Sequence, residues 1–473
     1  MSLLPPKTPS RARAGRGEGA PGRRPGRWRP VIRAASRRLD PTLIAITALA
    51  AFTRLWQLNQ VGLRGDEAVY AGQAAVLAGA KDFGRYFILQ SRGDSNFLLF
   101  QEVVSLAYRV TGVGDGTARA VAAAFSILTV VVVYGIGATL FGRRTGLFSA
   151  LLLAVDGYSV MLGRLALLDS TLTFLFATAM LCAARWNATK RSGWLYGFAA
   201  TASLTVQAKI VGGLALLVVG AYLLIGRSAG QLTRRQMLTS AGVFLVALSP
   251  MLVQLASNWT LYTSFLSTSI RRASAVPWYY YGKVLLTHDG PLILALYVIG
   301  IAFAVGRRAR GDLLPILWLL TVAVFYQIYP LKAVNYLLTA LPALCILAGR
   351  ALDALVQWCR PGTLRMVSAG ALCVAAVAAA VPYLRGAWLD DSYAGLKDAA
   401  TWMARSTPEN VGVISLSRGS AQYVFAFYAH RDSYPFGRFN LATVLPGGLI
   451  VPASAPSAGA RTPGTGSAAG PPA

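Results

Sequence analysis

Between residues 41 and 384 the chain alternates apolar runs with short polar breaks rich in arginine or lysine. Each run holds roughly 20 residues, the length that crosses a hydrocarbon core about 30 Å thick when coiled as an α-helix. The pattern predicts eleven spans: 41–58, 118–141, 145–162, 169–186, 191–208, 209–226, 238–257, 290–306, 312–329, 333–350 and 366–384. The apolar stretch 97–112 is not among them. It is short and carries Gln101, Glu102 and Arg109, each costly at mid-bilayer, so it is expected to lie along the outer interface.

Loop charges orient the spans. With residues 1–40 inside, the inner loops hold Arg143/Arg144, Arg185/Lys190/Arg191, Arg227/Arg234/Arg235, Arg307/Arg308/Arg310 and Arg350/Arg360/Arg365, opposed by only Asp312 and Asp353. Counting 97–112 as a span would turn all of those cations outward, against the positive-inside rule. The chosen topology then collects most acidic residues on the outer side: six in the loop 59–117, five after residue 385, and Asp156, Asp169 and Asp289 in spans or at ends opening there. A site facing that compartment is the expectation.

Composition agrees with a lipid solvent. Hydrophobic residues make up 55% of the 473 and charged ones 13%, about half the charged share of a soluble protein. The net charge of +27 does not make a nucleic-acid binder of a chain buried in membrane. Residues 1–40 hold eleven basic residues against Glu18 and Asp40, with no apolar periodicity. They are read as a disordered cytoplasmic tail that touches anionic lipid, and not as a signal peptide. Residues 385–443 predict a small extracytoplasmic α/β module with helices at 393–405 and 420–429 and a strand at 411–416, and 444–473 a disordered low-complexity tail. Cys182, Cys345, Cys359 and Cys373 show no paired spacing and are read as packing residues. Two histidines, His288 and His430, rule out a His-rich metal site.

Four outer clusters could carry chemistry. Asp66 and Glu67 adjoin just after the first span, with Tyr70 one turn on. Adjacent carboxylates point different ways, so one is expected to face a substrate as general base while the other supports it, unless both merely complement a helix N-terminus. Arg164 and Asp169 stand five apart across an outer turn, where they could pair with each other or divide between holding a phosphate and orienting a neighbour. Asp156, deeper in its apolar span, is expected to face the bundle interior. Lys209 joins two lean spans, which recesses it to headgroup level, where a snorkelling lysine and a phosphate contact read alike. Lys332 and Tyr336 repeat that arrangement at 329–336.

In this order the motifs resemble the GT-C membrane glycosyltransferases, in the branch of protein O-mannosyltransferases and lipid A aminoarabinose transferase. The resemblance spans roughly 41–384 and rests on Asp66-Glu67 with Tyr70, Gly163-Arg164 through Leu168-Asp169, Lys209 at the short helix pair, and Lys332, Tyr336 and Leu341-Pro342. It implies that Asp66 is the catalytic acid of the first loop, with Glu67 beside it and Asp169 as the second acidic position. It implies too that Lys209, Lys332, Tyr336 and Arg164 contact the donor phosphate, and Tyr70 and Arg92 the substrate. Val69 replaces an arginine of the aminoarabinose transferase pattern, and Asp94–Asn96 stand where that pattern has a lysine, for which Arg85 or Arg92 would substitute.

The resulting expectation is an all-α polytopic cell-membrane protein with about eleven transmembrane helices, its N-terminus cytoplasmic and its site and C-terminus outside. It would transfer a mannose- or arabinose-type sugar from a polyprenyl-phosphate donor to a hydroxyl on a lipid, glycan or protein, with inversion. No motif demands a cofactor; a divalent metal would fall to Asp66 and Asp169. The alternatives are a secondary transporter or lipid flippase, which predicts internal repeats and mid-membrane charges, and a scaffold working through the C-terminal module. No internal repeat is evident and most charges lie at span ends, with Asp156 the exception.

Overall fold

The structure, a computed structural model, describes residues 40–90, 97–359, 362–389, 395–415, 421–435 and 449–451. The basic tail, Arg92 and residues 452–473 lie outside the described residues.

Helices dominate: α1 Pro41–Leu55, α2 Gly65–Ala78, α3 Leu99–Thr111, α4 Asp115–Leu140, α5 Arg143–Val155, α6 Gly157–Gly163, α7 Leu168–Thr189, α8 Ser192–Ala208, α9 Leu214–Ile225, α10 Arg234–Ser257, α11 Trp259–Arg271, α12 Tyr280–Arg307, α13 Leu313–Ile328, α14 Leu341–Trp358, α15 Thr363–Leu389, α16 Leu396–Ser406 and α17 Ala421–Ala429. Local chemistry sets their ends. Asp40 caps α1 by accepting the Thr42 N–H at 3.1 Å, ahead of Pro41 in the first turn. At the far end of α2, Gly79 adopts φ 94°, a left-handed cap open to glycine.

Each expected span overlaps a helix or helix pair, although α14 is shifted some eight residues past the expected 333–350. Six helical segments among the described residues are long and apolar enough to cross a membrane, seven if α5 and α6 form one span bent by 61°. The bend occurs at Asp156, extended at φ −61°, ψ 120°, which ends α5 and caps α6 by accepting the Ser159 N–H at 2.6 Å. A second break lies in α12. Gly290 takes φ 78° before Pro291, so the helix starts at Tyr280, ten residues ahead of the expected span.

The bundle is layered. Phe176, Trp186, Trp318, Tyr158 and Tyr297 are fully enclosed at its centre, and α14 is buried along most of its length. By contrast α10 and α15 turn Leu245, Val246, Val253, Val367 and Val374 outward. Outward faces this apolar suit a lipid solvent, as in a multi-pass membrane protein. Within the segment 97–112, α3 is too short to span a membrane and buries Phe100, Val104 and Tyr108 in a second core with α2, α16, α17 and the start of α4. Beyond α15, three three-residue strands, β1 Val413–Ser415, β2 Ser433–Pro435 and β3 Leu449–Val451, pair in parallel in the order β2-β1-β3. The last lies past residue 444, where a structureless tail was expected.

Candidate active site

Asp66 opens α2 at the end of a loop whose backbone is captured residue by residue. Arg164 donates to the carbonyls of Arg54 (3.1 Å), Trp56 (2.6 Å) and Gln57 (3.3 Å). Arg119 takes those of Leu58 (3.2 Å), Val61 (2.5 Å) and Gly62 (2.8 Å). From the C-terminal segment, Lys397 donates to the Asn59 carbonyl at 3.1 Å, and the Tyr428 hydroxyl accepts the Leu63 N–H at 3.0 Å. Irregular backbone beside a membrane needs such partners, because unpaired polar groups there are costly.

Glu67 completes the anchorage. It is fully buried, paired with Arg119, and accepts the backbone N–H of Ala166 at 2.8 Å and of Arg64 at 3.0 Å. Both its oxygens are engaged with the scaffold, the contacts of a residue that supports Asp66. Asp66, its neighbour, keeps its side chain exposed. Protein nevertheless crowds that carboxyl, and the loss of hydration raises its pKa above the usual carboxylate range. The negative charge of Asp169 adds to the rise, while Lys209 and Arg272 pull the other way.

Opposite stands a second group. Asp169, in the first turn of α7 and nearly buried, accepts from Lys209 Nζ at 3.0 Å through Oδ1 and from Asn335 Nδ2 at 2.7 Å through Oδ2. The Lys209 ammonium also lies 5.0 Å from the centroid of the Tyr336 ring. Lys209 is recessed because the chain turns there within a few residues. It is extended between α8 and the short turn Ile210–Gly213, and a Cβ at Gly212 would meet the Thr205 carbonyl oxygen at 2.2 Å. Tyr336 opens the turn Tyr336–Ala340, held by Trp318 Nε1 donating to the Thr339 carbonyl at 2.9 Å.

Of the residues singled out in the sequence, Asp66, Asp169, Lys209 and Tyr336 thus lie within electrostatic reach of one another. Two others do not join them. The Arg164 guanidinium donates to carbonyls at the end of α1 and in the loop that follows. The Lys332 ammonium donates to the carbonyls of Tyr329 and, at 3.0 Å, Gln327, at the end of α13. Tyr70 is half-buried one turn beyond Asp66, packed on the second core. Asp156 faces the interior as expected, 1% exposed. Sequence reasoning passed over Arg119, Asn335 and Arg272. Asn335 lay inside the quoted 329–336 motif, and Arg272 in an arginine pair on the acid-rich side. Among the described residues no group of three or more His, Cys, Asp or Glu is arranged to hold a metal ion.

A profile of the dolichyl-phosphate-mannose-protein mannosyltransferase family matches residues 98–254. No curated protein matches the chain by sequence. Among solved structures it is similar to ArnT from Cupriavidus metallidurans in the apo state, with TM-score 0.68 and 18% identity over 83% of this chain and 84% of that one. The same protein bound to undecaprenyl phosphate gives 0.67 and 18%, covering 83% and 85%. AglB, the oligosaccharyltransferase of the archaeon Archaeoglobus fulgidus, in complex with an inhibitory peptide and a dolichol-phosphate, gives 0.60 and 13%, covering 83% of this chain and 64% of that one. The chain therefore has the GT-C fold of membrane glycosyltransferases and resembles the branch of protein O-mannosyltransferases and ArnT.

Proposed function

We propose that the protein transfers a sugar of mannose or arabinose type from a polyprenyl-phosphate donor to an acceptor hydroxyl at the outer membrane face. The observation that carries this reading is the placement of Asp66, an open carboxylate, opposite a recessed ammonium, Lys209, that already holds an anion. The donor phosphate takes the position beside Lys209 and Tyr336, with Arg272 as the second cation. Its isoprenoid tail lies in lipid against the apolar helix faces. Asp66 takes the proton from the acceptor hydroxyl as that oxygen attacks the anomeric carbon. The bond from that carbon to the phosphate oxygen breaks, and its electron pair leaves on the polyprenyl phosphate. The cations stabilise that charge as it forms. One displacement of this kind inverts the anomeric centre. The raised pKa makes Asp66 a stronger base than an ordinary carboxylate, which suits it to the task.

Asp169 orients Lys209 and holds Asp66 protonated to higher pH. Eleven spans, with the N-terminus in the cytoplasm and both the site and the C-terminal α/β module outside, complete the reading. The gathering of Asp66, Asp169, Lys209 and Tyr336 at one site favours an enzyme over a transporter. The test is a deletion strain examined by mass spectrometry for lipid-linked sugars and surface glycans. Accumulation of one polyprenyl-phosphate sugar together with loss of one glycan is expected. Unchanged profiles of both would overturn the proposal.

A further inference from the structure

Below the site, a polar group lies deep in the bundle, and nothing in the reaction above employs it. Asp156 ends α5, and Asp289 precedes the Gly290 break in α12; they are 1% and 2% exposed. Tyr297 donates to Asp156 Oδ2 at 2.5 Å, and Asp289 Oδ1 accepts the Tyr158 N–H at 2.8 Å. The two helix breaks are therefore fastened together, and Tyr158 is fixed at its backbone by the fastening.

The side chain of Tyr158 runs from there to the site. It is fully buried, and its hydroxyl donates to the Val334 carbonyl at 2.5 Å. Val334 is followed by Asn335, which donates to Asp169, and then by Tyr336, whose ring lies beneath Lys209. On its other side the same turn is held by Ser274, whose hydroxyl accepts the Lys332 N–H at 3.1 Å. A rigid aromatic strut thus joins the buried acid pair to the turn that presents Asn335 and Tyr336.

We propose that Tyr158 is a positioning residue of the donor-phosphate site, acting through the Val334 carbonyl to hold Asn335 on Asp169 and Tyr336 under Lys209. The inference rests on the reading of Lys209 and Tyr336 as phosphate contacts. It concerns no reacting atom, so the effect belongs in donor affinity.

The experiment measures binding of undecaprenyl phosphate to the purified full-length protein in lipid nanodiscs, with the melting temperature of every variant recorded. Tyr158→Phe keeps the ring and removes one buried hydrogen bond, which should weaken binding roughly 3- to 10-fold. Asn335→Ala cuts the same turn on its far side and should do likewise. In a Lys209→Met background each change should cost less than about twofold more, because coupled residues are not additive. A fall in melting temperature with unchanged affinity in Tyr158→Phe would mean simple packing and overturn the proposal. Full additivity with Lys209→Met would overturn it as well. Should Tyr158→Phe fail to fold, Asn335→Ala decides alone, and unchanged affinity there refutes the strut. If Lys209→Met itself binds like the unaltered protein, it is the donor-site reading that falls.

Discussion

Arg119 and Glu67 meet in two parallel hydrogen bonds, Nε to Oε1 at 2.8 Å and Nη2 to Oε2 at 2.9 Å, with both side chains almost wholly buried. Such a pair contributes geometry more than stability, but removing one partner leaves a charge stranded, at a cost of about 3–5 kcal/mol. Glu67→Ala should therefore lower the melting temperature of the purified protein markedly, since Arg119 would also lose its hold on the loop before Asp66. Glu67→Gln, which keeps one acceptor, should lower it less. An unchanged melting temperature in Glu67→Ala would contradict the anchoring role.

The three cations named from the sequence should behave differently from one another. Lys209→Met keeps the apolar stem and removes a charge-assisted contact worth roughly 1.5–3 kcal/mol. Donor affinity, read by binding of a polyprenyl phosphate, should fall about 10- to 150-fold with little change in melting temperature. Lys332→Met should bind within about twofold of the unaltered protein, because its ammonium serves carbonyls at the end of α13. Arg164→Met should lose stability, as the carbonyls of Arg54, Trp56 and Gln57 lose their donor. Equal losses of affinity in all three would mean that the phosphate lies elsewhere.

Membrane topology can be read by labelling single cysteines with an impermeant thiol reagent. Ile88 and Trp402 are 66% and 55% exposed, and Gly230 is exposed beyond α9. Ile88→Cys and Trp402→Cys should label from outside in intact cells, and Gly230→Cys only after the membrane is opened. Labelling of Gly230→Cys in intact cells would reverse the orientation.

Much of the fold was legible because apolar runs of membrane length admit few readings. The helical segments between residues 41 and 389, six or seven of them of membrane length among the described residues, and the nearness of Asp66, Asp169, Lys209 and Tyr336 followed from run length, charge placement and motif order. Which cation serves the site was not legible. Lys209, Lys332 and Arg164 look alike in sequence, each a basic residue at a span end, and only the packing shows that two of them are occupied with carbonyls. Lys283, His288 and Asp289 broke the apolar run before Pro291 and hid the first three turns of α12. Arg119 opens an apolar run and reads as a border residue, although it is 3% exposed and holds the first loop.

Asp66 also carries a pH signature. Its folded pKa is raised, first by loss of hydration and then by Asp169. The folded state thus holds the proton more tightly than the unfolded one. The stability this contributes is full below the unfolded carboxylate value and is lost as pH rises through the raised folded value. Asp66→Asn should then be slightly more stable than the unaltered protein at neutral pH and should lose this dependence. In kinetics, Asp169→Asn removes one cause of the rise and frees Lys209, another influence in the same direction. The acidic limb of kcat/KM should move to lower pH, and a shift to higher pH would contradict the assignment.

The central claim is that Asp66 takes the acceptor proton while Lys209 holds the leaving phosphate. Its most direct test is single-turnover transfer by purified Asp66→Asn in nanodiscs, given the lipid-linked sugar that accumulates in the deletion strain. Alongside it, binding of undecaprenyl phosphate to the same preparation is measured. The amide is nearly isosteric with the carboxylate but cannot accept the proton. The account predicts binding within about twofold of the unaltered protein and transfer lost by a factor of at least ~100, within the range for removing a general base. Transfer at the unaltered rate, with binding intact, would contradict it.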